Sequence, residues 1–242
     1  MSLDAVILCG GMGTRLRSVV NDRPKSMAEI NGKPFLEILL NNLKRFSFKR
    51  FILCTGYMAD SIQAYFRDGS RWDMEIICSR EERPLGTAGA VKNAEDKIRS
   101  NPFLVLNGDS FIQADLTELV AFHQRHRADI SLLLTQISNG RRFGSVTLAQ
   151  DFRIINYSEK DPGSPEGWIN AGVYVISRQT MELIPPGRIF SMEHDLFETR
   201  RNELMIYGLP CQGRLIDLGL PESYQYLRDH YRDYFEDTLF KS

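Results

Sequence analysis

Apolar positions follow two alternating patterns along the first half of the chain. Ala5–Cys9 is a continuous apolar run bounded by Gly10-Gly11, which suits a strand buried on both faces. Arg50–Thr55, Glu75–Ser79, Phe103–Asn107 and Ile130–Gln136 repeat the strand-like pattern. Helical spacing fills the intervals. Phe35, Leu36, Leu39, Leu40 and Leu43 recur along Phe35–Phe46, directly after Pro34, a good first-turn residue. Ala59–Phe66 follows with Asp60 and Ser61 near its start, then Thr87–Ile98, entered from Leu85-Gly86, and Leu116–Arg127. Strands and helices alternating at this spacing predict βαβ units, and so an α/β fold: a Rossmann-like, mainly parallel sheet flanked by helices.

The second half changes character. Ser145–Leu148, Ile154–Tyr157 and Trp168–Ile176 read as strands separated by turn residues such as Asp161-Pro-Gly-Ser-Pro165, which predicts an antiparallel extension of the first sheet. No linker, repeat or low-complexity segment divides the halves, so one domain over 1–242 is expected. Asp217-Leu-Gly-Leu-Pro221 leads into a terminal helix, Glu222–Tyr234, rich in Tyr and Arg. Its aromatic stripe is expected to pack on the sheet, with a homodimer contact as the other use for it.

Composition adds mostly exclusions. With 43% hydrophobic and 25% charged residues the chain is of ordinary globular type. Thirty basic residues against 31 acidic ones give a net charge of -1, so nothing in the bulk electrostatics argues for a nucleic-acid partner. The N-terminal segment is too quickly polar for a signal peptide, and no apolar run approaches the roughly 18 residues of a membrane helix. Cys9, Cys54, Cys78 and Cys211 are widely spaced and read as reduced thiols of a cytoplasmic protein, small buried hydrophobes rather than metal ligands. The four histidines show no metal-ligand spacing, and His123 and His126 are expected on an exposed helix face.

Chemistry begins at Cys9-Gly-Gly-Met-Gly-Thr-Arg-Leu-Arg17. Glycines after a buried strand let backbone N–H groups approach an anion closely, so the loop predicts phosphate binding. It is not a Walker loop, for no Gly-Lys-Ser/Thr follows, and not a dinucleotide fingerprint, because Leu16 stands where the third glycine belongs. Arg15 suits bidentate contact with a polyphosphate. Lys25, stiffened by Pro24, supplies a compact positive charge a dozen residues on. Asp109, just past a strand end, has the position of a helix cap or a turn former, but also of a ligand-side residue in an open parallel sheet.

Taken together, G-G-x-G-T-R-L, P-K-S-M, L-G-T-A-G-A (Leu85–Ala90), N-G-D (Asn107–Asp109), E-K (Glu159, Lys160), N-A-G (Asn170–Gly172) and D-L-G-L-P (Asp217–Pro221) resemble the sugar-1-phosphate nucleotidyltransferases, in the family's order along nearly the whole chain. The resemblance implies a GT-A-like nucleotidyltransferase fold, with residues 1–136 as the nucleotide-binding part and 137–242 as the sugar-binding part. It implies that Leu8 binds the nucleotide and that Gly10, Gly11, Gly13, Thr14 and Arg15 hold its triphosphate, with Arg15 on the departing phosphates. Lys25 then contacts the α-phosphate and the sugar phosphate, and Gly86 and Thr87 hold base and ribose. Asp109 and Asp217 match the pair that binds Mg²⁺, and Arg15, Lys25 and Asp109 form the catalytic set. Glu159 and Asn170 match sugar-hydroxyl contacts, Lys160 a sugar-phosphate contact, and Gly172 leaves room for the sugar. The chemistry is consistent with these roles: a sugar phosphate is already an anion and needs in-line placement and charge screening rather than a general base.

Specificity rests on fewer residues. Guanine presents two adjacent donors, which a carboxylate complements, whereas uracil and thymine present one donor between acceptors. Glu81 or Glu82 can serve, and the loop E-E-x-P-L-G-T-A-G, with Glu81 preferred, resembles guanylyltransferases. Arg142-Phe-Gly144, Asn170–Gly172 and Phe190-Ser-Met-Glu-His-Asp195 resemble the D-glycero-α-D-manno-heptose-1-phosphate guanylyltransferases of surface-glycan assembly, which adds Gly144 and Glu193 to the expected sugar site. GTP and a heptose 1-phosphate are therefore the expected partners. Ala171 departs from the glycine of many members, and Cys9 from their usual alanine. Mannose 1-phosphate, UTP or dTTP as substrates, and a non-catalytic nucleotide-sugar sensor, are the alternatives. A glycosyltransferase would want Asp-x-Asp, but Ser110 and Phe111 follow Asp109.

Overall fold

The computed structural model describes residues 3–136, 144–159 and 167–235. The chain begins with β1 (Asp4–Leu8), followed by the two-residue strands β2 (Glu29–Ile30) and β3 (Lys33–Pro34), α1 (Phe35–Lys44), β4 (Arg50–Thr55), α2 (Ala59–Phe66) and β5 (Glu75–Arg80). It continues with α3 (Gly86–Asn93), β6 (Phe103–Asn107), β7 (Ser110–Ile112), α4 (Leu116–His126) and β8 (Ile130–Thr135). The later elements are β9 (Ser145–Leu148), β10 (Ile154–Ser158), β11 (Trp168–Ile176), β12 (Ile206–Pro210), β13 (Leu215–Asp217), α5 (Pro221–Asp229) and α6 (Tyr231–Phe235).

β6, β1, β4 and β5 pair in parallel, in that order. Their side chains alternate between two cores, as the period of two requires. Ala5, Ile7, Phe51, Leu53, Leu104 and Leu106 face one core with Leu36, Leu40 and Ile62 of α1 and α2. Val6, Ile52, Cys54, Phe103 and Val105 face the other with Ala88 and Val91 of α3. A sheet covered on both faces explains the unbroken apolar runs in the sequence.

β11 inverts the sheet. It runs antiparallel to β6 and β9 along one side and to β8 along the other, and β12 then pairs in parallel with β8. The start of β11 therefore lies at the same edge as the ends of β6 and β8. A separate small sheet pairs β7 with β13, Ser110 opposite Asp217.

Two helical expectations are adjusted. Thr87–Ile98 is α3 followed by a tight turn at Glu95–Lys97, and the terminal helix breaks at His230. Tyr224, Leu227 and Tyr234 of that region are buried in the same core as Phe111 and Ile112. Among the described residues, no helix is long and apolar enough to cross a membrane.

His123 corrects a further expectation. It is not on an exposed face but 3% exposed, its ring nitrogens 3.1 Å from Ser131 Oγ and 3.1 Å from Ser177 Oγ. Burial, opposed by the charge of Asp129, lowers its pKa to about 4. His126 is half-buried against Phe122 and Tyr207. Cys9 and Cys54 are buried thiols, and burial pushes Cys54 up to about 12.

Candidate active site

The parallel register sets Leu8 beside Asn107, so the loops leaving β1 and β6 emerge together at the carboxyl edge of the sheet, where open α/β sheets bind ligands. The Gly108 N–H donates to Leu8 O at 2.8 Å, and the Cys9 N–H to Cys54 O at 3.0 Å. Leu8, Gly11, Gly13, Thr14, Arg15, Lys25 and Asp109 are among the residues lining a polar cleft of about 200 Å³. Gly11, Thr14 and Arg15 are exposed at its mouth.

Gly13 takes a left-handed φ of 58° and packs against Lys25; a Cβ there would lie 2.8 Å from that of Lys25. The Pro24-Lys25-Ser26-Met27 segment turns so that the Met27 N–H donates to Pro24 O and the Ala28 N–H to Lys25 O, which fixes the lysine stem over the loop. Lys25 Nζ donates to Asp109 Oδ2 at 2.7 Å and to Asp217 Oδ1 at 3.4 Å. The lysine side chain is 11% exposed, Asp217 19% and Asp109 39%.

Asp109 and Asp217 are more than a hundred positions apart, and β7–β13 pairing brings them together. The Leu218 N–H donates to Asp109 O at 2.9 Å, and the Gly219 N–H steadies Asp217 Oδ1 at 2.8 Å. Two carboxylates gathered beside a phosphate-type loop make a hard-oxygen donor set that fits a divalent cation. Lys25 bridges the two.

A second hollow, of about 680 Å³, opens on the other side of the loop and is lined by Gly10, Met12, Gly56, Tyr57, Glu81, Glu82 and neighbouring residues. Glu81 Oε1 lies close against both Gly10 and Gly56: a Cβ on either would be 2.7 Å from it. Oε2 accepts from the Leu85 N–H at 3.2 Å. Desolvation raises the Glu81 carboxyl above the ordinary range, opposed by the Leu85 N–H. Glu82, the other candidate, is exposed.

The expected sugar residues divide. Asn170, Gly172 and Glu193 form one polar cluster. Asn170 Nδ2 donates to Tyr174 Oη at 2.8 Å and to Tyr157 Oη at 3.1 Å, while its Oδ1 accepts from the Gly172 N–H at 2.9 Å. Tyr174 Oη donates to Glu193 Oε1 at 3.3 Å. Gly144 borders the cluster, its carbonyl accepting from the Asn170 N–H at 3.1 Å. Gly172 backs onto Asn107, two residues before Asp109, so this cluster adjoins the two carboxylates. Glu159 stands with exposed His194 and half-buried Glu198 instead. Lys160, like Arg142, lies outside the described residues. Gly86 and Thr87 meet the segment around Phe190 rather than the glycine loop. Tyr157 and Tyr174 show in the sequence only as strand aromatics, and Ser191 only as a member of the Phe190–Asp195 motif.

The model of the family described as nucleotidyl transferase matches residues 4–211. The chain is 38% identical to the mannose-1-phosphate guanylyltransferase of Mycobacterium tuberculosis over 92% of its own length, but it spans only 62% of that protein. It is 37% identical to the D-glycero-α-D-manno-heptose 1-phosphate guanylyltransferase of Aneurinibacillus thermoaerophilus, over 92% of this chain and 96% of that one. The crystal structure of HddC from Yersinia pseudotuberculosis complexed with GMP-PN superposes with a TM-score of 0.82 at 32% identity, covering 95% of this chain and 99% of the other. Because the family model runs from β1 through the end of β12, and the Aneurinibacillus protein aligns along almost all of its length, this chain belongs to the nucleotidyl transferase family.

Proposed function

We propose that this nucleotidyltransferase joins GMP from GTP to D-glycero-α-D-manno-heptose 1-phosphate, giving GDP-heptose and pyrophosphate for surface-glycan assembly. The carrying observation is Lys25, whose ammonium reaches both Asp109 and Asp217 at the mouth of the glycine loop. A phosphate oxygen of the sugar phosphate forms a bond to the α-phosphorus of GTP, and the bond from that phosphorus to the pyrophosphate oxygen breaks. Arg15 would receive charge on the departing pyrophosphate, and Lys25 would lie between the α-phosphate and the incoming phosphate. Asp109 and Asp217 would hold Mg²⁺, which supplies charge neutralisation on the phosphate oxygens when bound. We take the chain to act as one domain, with the nucleotide on the 1–136 part and the sugar on the 137–242 part, in the cytoplasm.

The guanine preference rests on Glu81, a carboxylate of raised proton affinity set between two glycines in the second hollow. The heptose preference draws on the Aneurinibacillus relative, which this chain matches over 96% of that protein's length. A second reading, mannose 1-phosphate as acceptor, is favoured by the mycobacterial relative at 38% identity. Pyrophosphate release across GTP, UTP and dTTP, with heptose and mannose 1-phosphates in parallel, tests both. GTP with the heptose phosphate should be fastest. Release with UTP or dTTP alone would remove the guanine assignment.

A further inference from the structure

Thr87 is tied to the segment that carries Glu193. Its hydroxyl accepts from the Met192 N–H at 2.8 Å and donates to Glu193 Oε2 at 2.7 Å. The backbone around it is joined to the same segment. Phe190 O accepts from the Ala88 and Gly89 N–H groups, both at 3.0 Å, and the Phe190 N–H donates to Leu85 O at 2.8 Å. Gly86, at φ 74°, lets Phe190 approach so closely that a Cβ would stand 2.7 Å from its carbonyl oxygen. Two of the first-turn N–H groups of α3, which would otherwise be free to hold an anion, are thus satisfied from within the chain.

Glu193 collects hydroxyls from three directions. Oε2 accepts from Thr87 and from Ser191 Oγ at 3.0 Å, and Oε1 from Tyr174 Oη at 3.3 Å. An ionised carboxylate offers about four acceptor positions, so three are engaged and one is left. Asn170 is in the opposite condition: both protons of its amide are given to Tyr157 and Tyr174. It orients Tyr174, and Tyr174 orients Glu193.

We propose that Thr87 is a positioning residue of the sugar site: it fixes the Glu193 carboxylate as the acceptor for a hydroxyl of the sugar ring and makes no contact with the nucleotide. This rests on the sugar phosphate being the second substrate, as proposed above. Three donors converging on one carboxylate narrow its rotamers before the sugar arrives, which lowers the ordering cost of binding.

The test compares Thr87→Val with Thr87→Ser. Wild-type enzyme is first run on the nucleotide and sugar-phosphate panel, so a wrong base or sugar shows there, and the variants are assayed with the pair that turns over. Thr87→Val should raise KM for the sugar phosphate about tenfold, the scale of one hydrogen bond to a charged group, and leave KM for the nucleotide within about twofold. Thr87→Ser should restore it. Glu193→Gln added to Thr87→Val should cost less than in the wild-type background, because both changes act on one contact. A rise in nucleotide KM, unchanged kinetics, failure of serine to rescue, or full additivity would each overturn the proposal. Amide hydrogen exchange gives a readout independent of turnover: Met192 should exchange faster in Thr87→Val only, with residues 9–15 unaffected, and equal rates in the two variants would also count against it.

Discussion

Lys25 Nζ stands 2.7 Å from Asp109 Oδ2, a contact across 84 positions of sequence between the segment after the glycine loop and the end of β6. The same ammonium reaches Asp217 at 3.4 Å, so one cation sets the spacing of two carboxylates that would otherwise repel. Lys25→Met should reduce kcat on the order of 10²–10³-fold, and Asp109→Asn by a similar factor. The double variant should lose much less than the product of the two, as expected for groups acting as a unit. Pyrophosphate release at saturating substrates reads all three.

Gly13→Ala strikes loop and lysine together. The left-handed backbone at φ 58° disfavours a side chain, and the new methyl would press on the Lys25 stem. Unfolding in urea should show a loss of about 1–3 kcal/mol, the usual cost of such a strained residue. Turnover should fall further than stability alone explains, with KM for the nucleotide raised. Unchanged KM would separate this glycine from phosphate binding.

Glu81→Gln keeps the shape and removes the charge. An amide can give only one acceptor where guanine's two donors want a carboxylate, so kcat/KM for GTP should drop roughly ten- to a hundredfold. The ratio of UTP to GTP turnover should rise. A carboxylate with raised proton affinity should also weaken GTP binding as the pH falls toward its pKa, and that slope should vanish in the variant.

His123 makes the fold acid-sensitive. Its folded pKa, about 4, lies below the unfolded value near 6.5, so the unfolded chain takes up the proton first. This contribution is complete above pH 6.5 and is lost as the pH falls toward 4, the loss reaching about 3 kcal/mol at the lower end. Urea midpoints measured between pH 7.5 and 4.5 should decline in the native chain and decline less in His123→Asn. Parallel slopes would mean that other groups dominate.

The parallel half of the fold was legible because each strand is buried on both faces, and unbroken apolar runs such as Arg50–Thr55 and Phe103–Asn107 have no competing period. β7 and β13, three residues each, are too short to show any period, and β12 contains Gly208 and Pro210, which speak against a strand. Their absence from the sequence reading is why Asp109 and Asp217 could be named by motif but not joined by geometry. His123 was misplaced for a different reason: it sits among Gln124, Arg125 and His126, yet four positions after Leu119 it falls on the buried stripe of α4. Thr87 was legible as a motif member, but its partner Glu193 is 106 positions away and no local pattern links the two.

The β7–β13 ladder also has a consequence for how the enzyme comes into being. Residues through Pro210 complete the last strand of the main sheet, while Asp217 is held by a strand that begins at Leu215. A nascent chain still short of that point can possess the glycine loop, Lys25 and Asp109 and yet lack one of its two carboxylates. Closing a loop of that length adds only a modest entropic cost, so the delay is set by synthesis more than by thermodynamics. A partly made polypeptide therefore lacks its second carboxylate until residues 215–217 have been synthesised, and only then is the full set gathered.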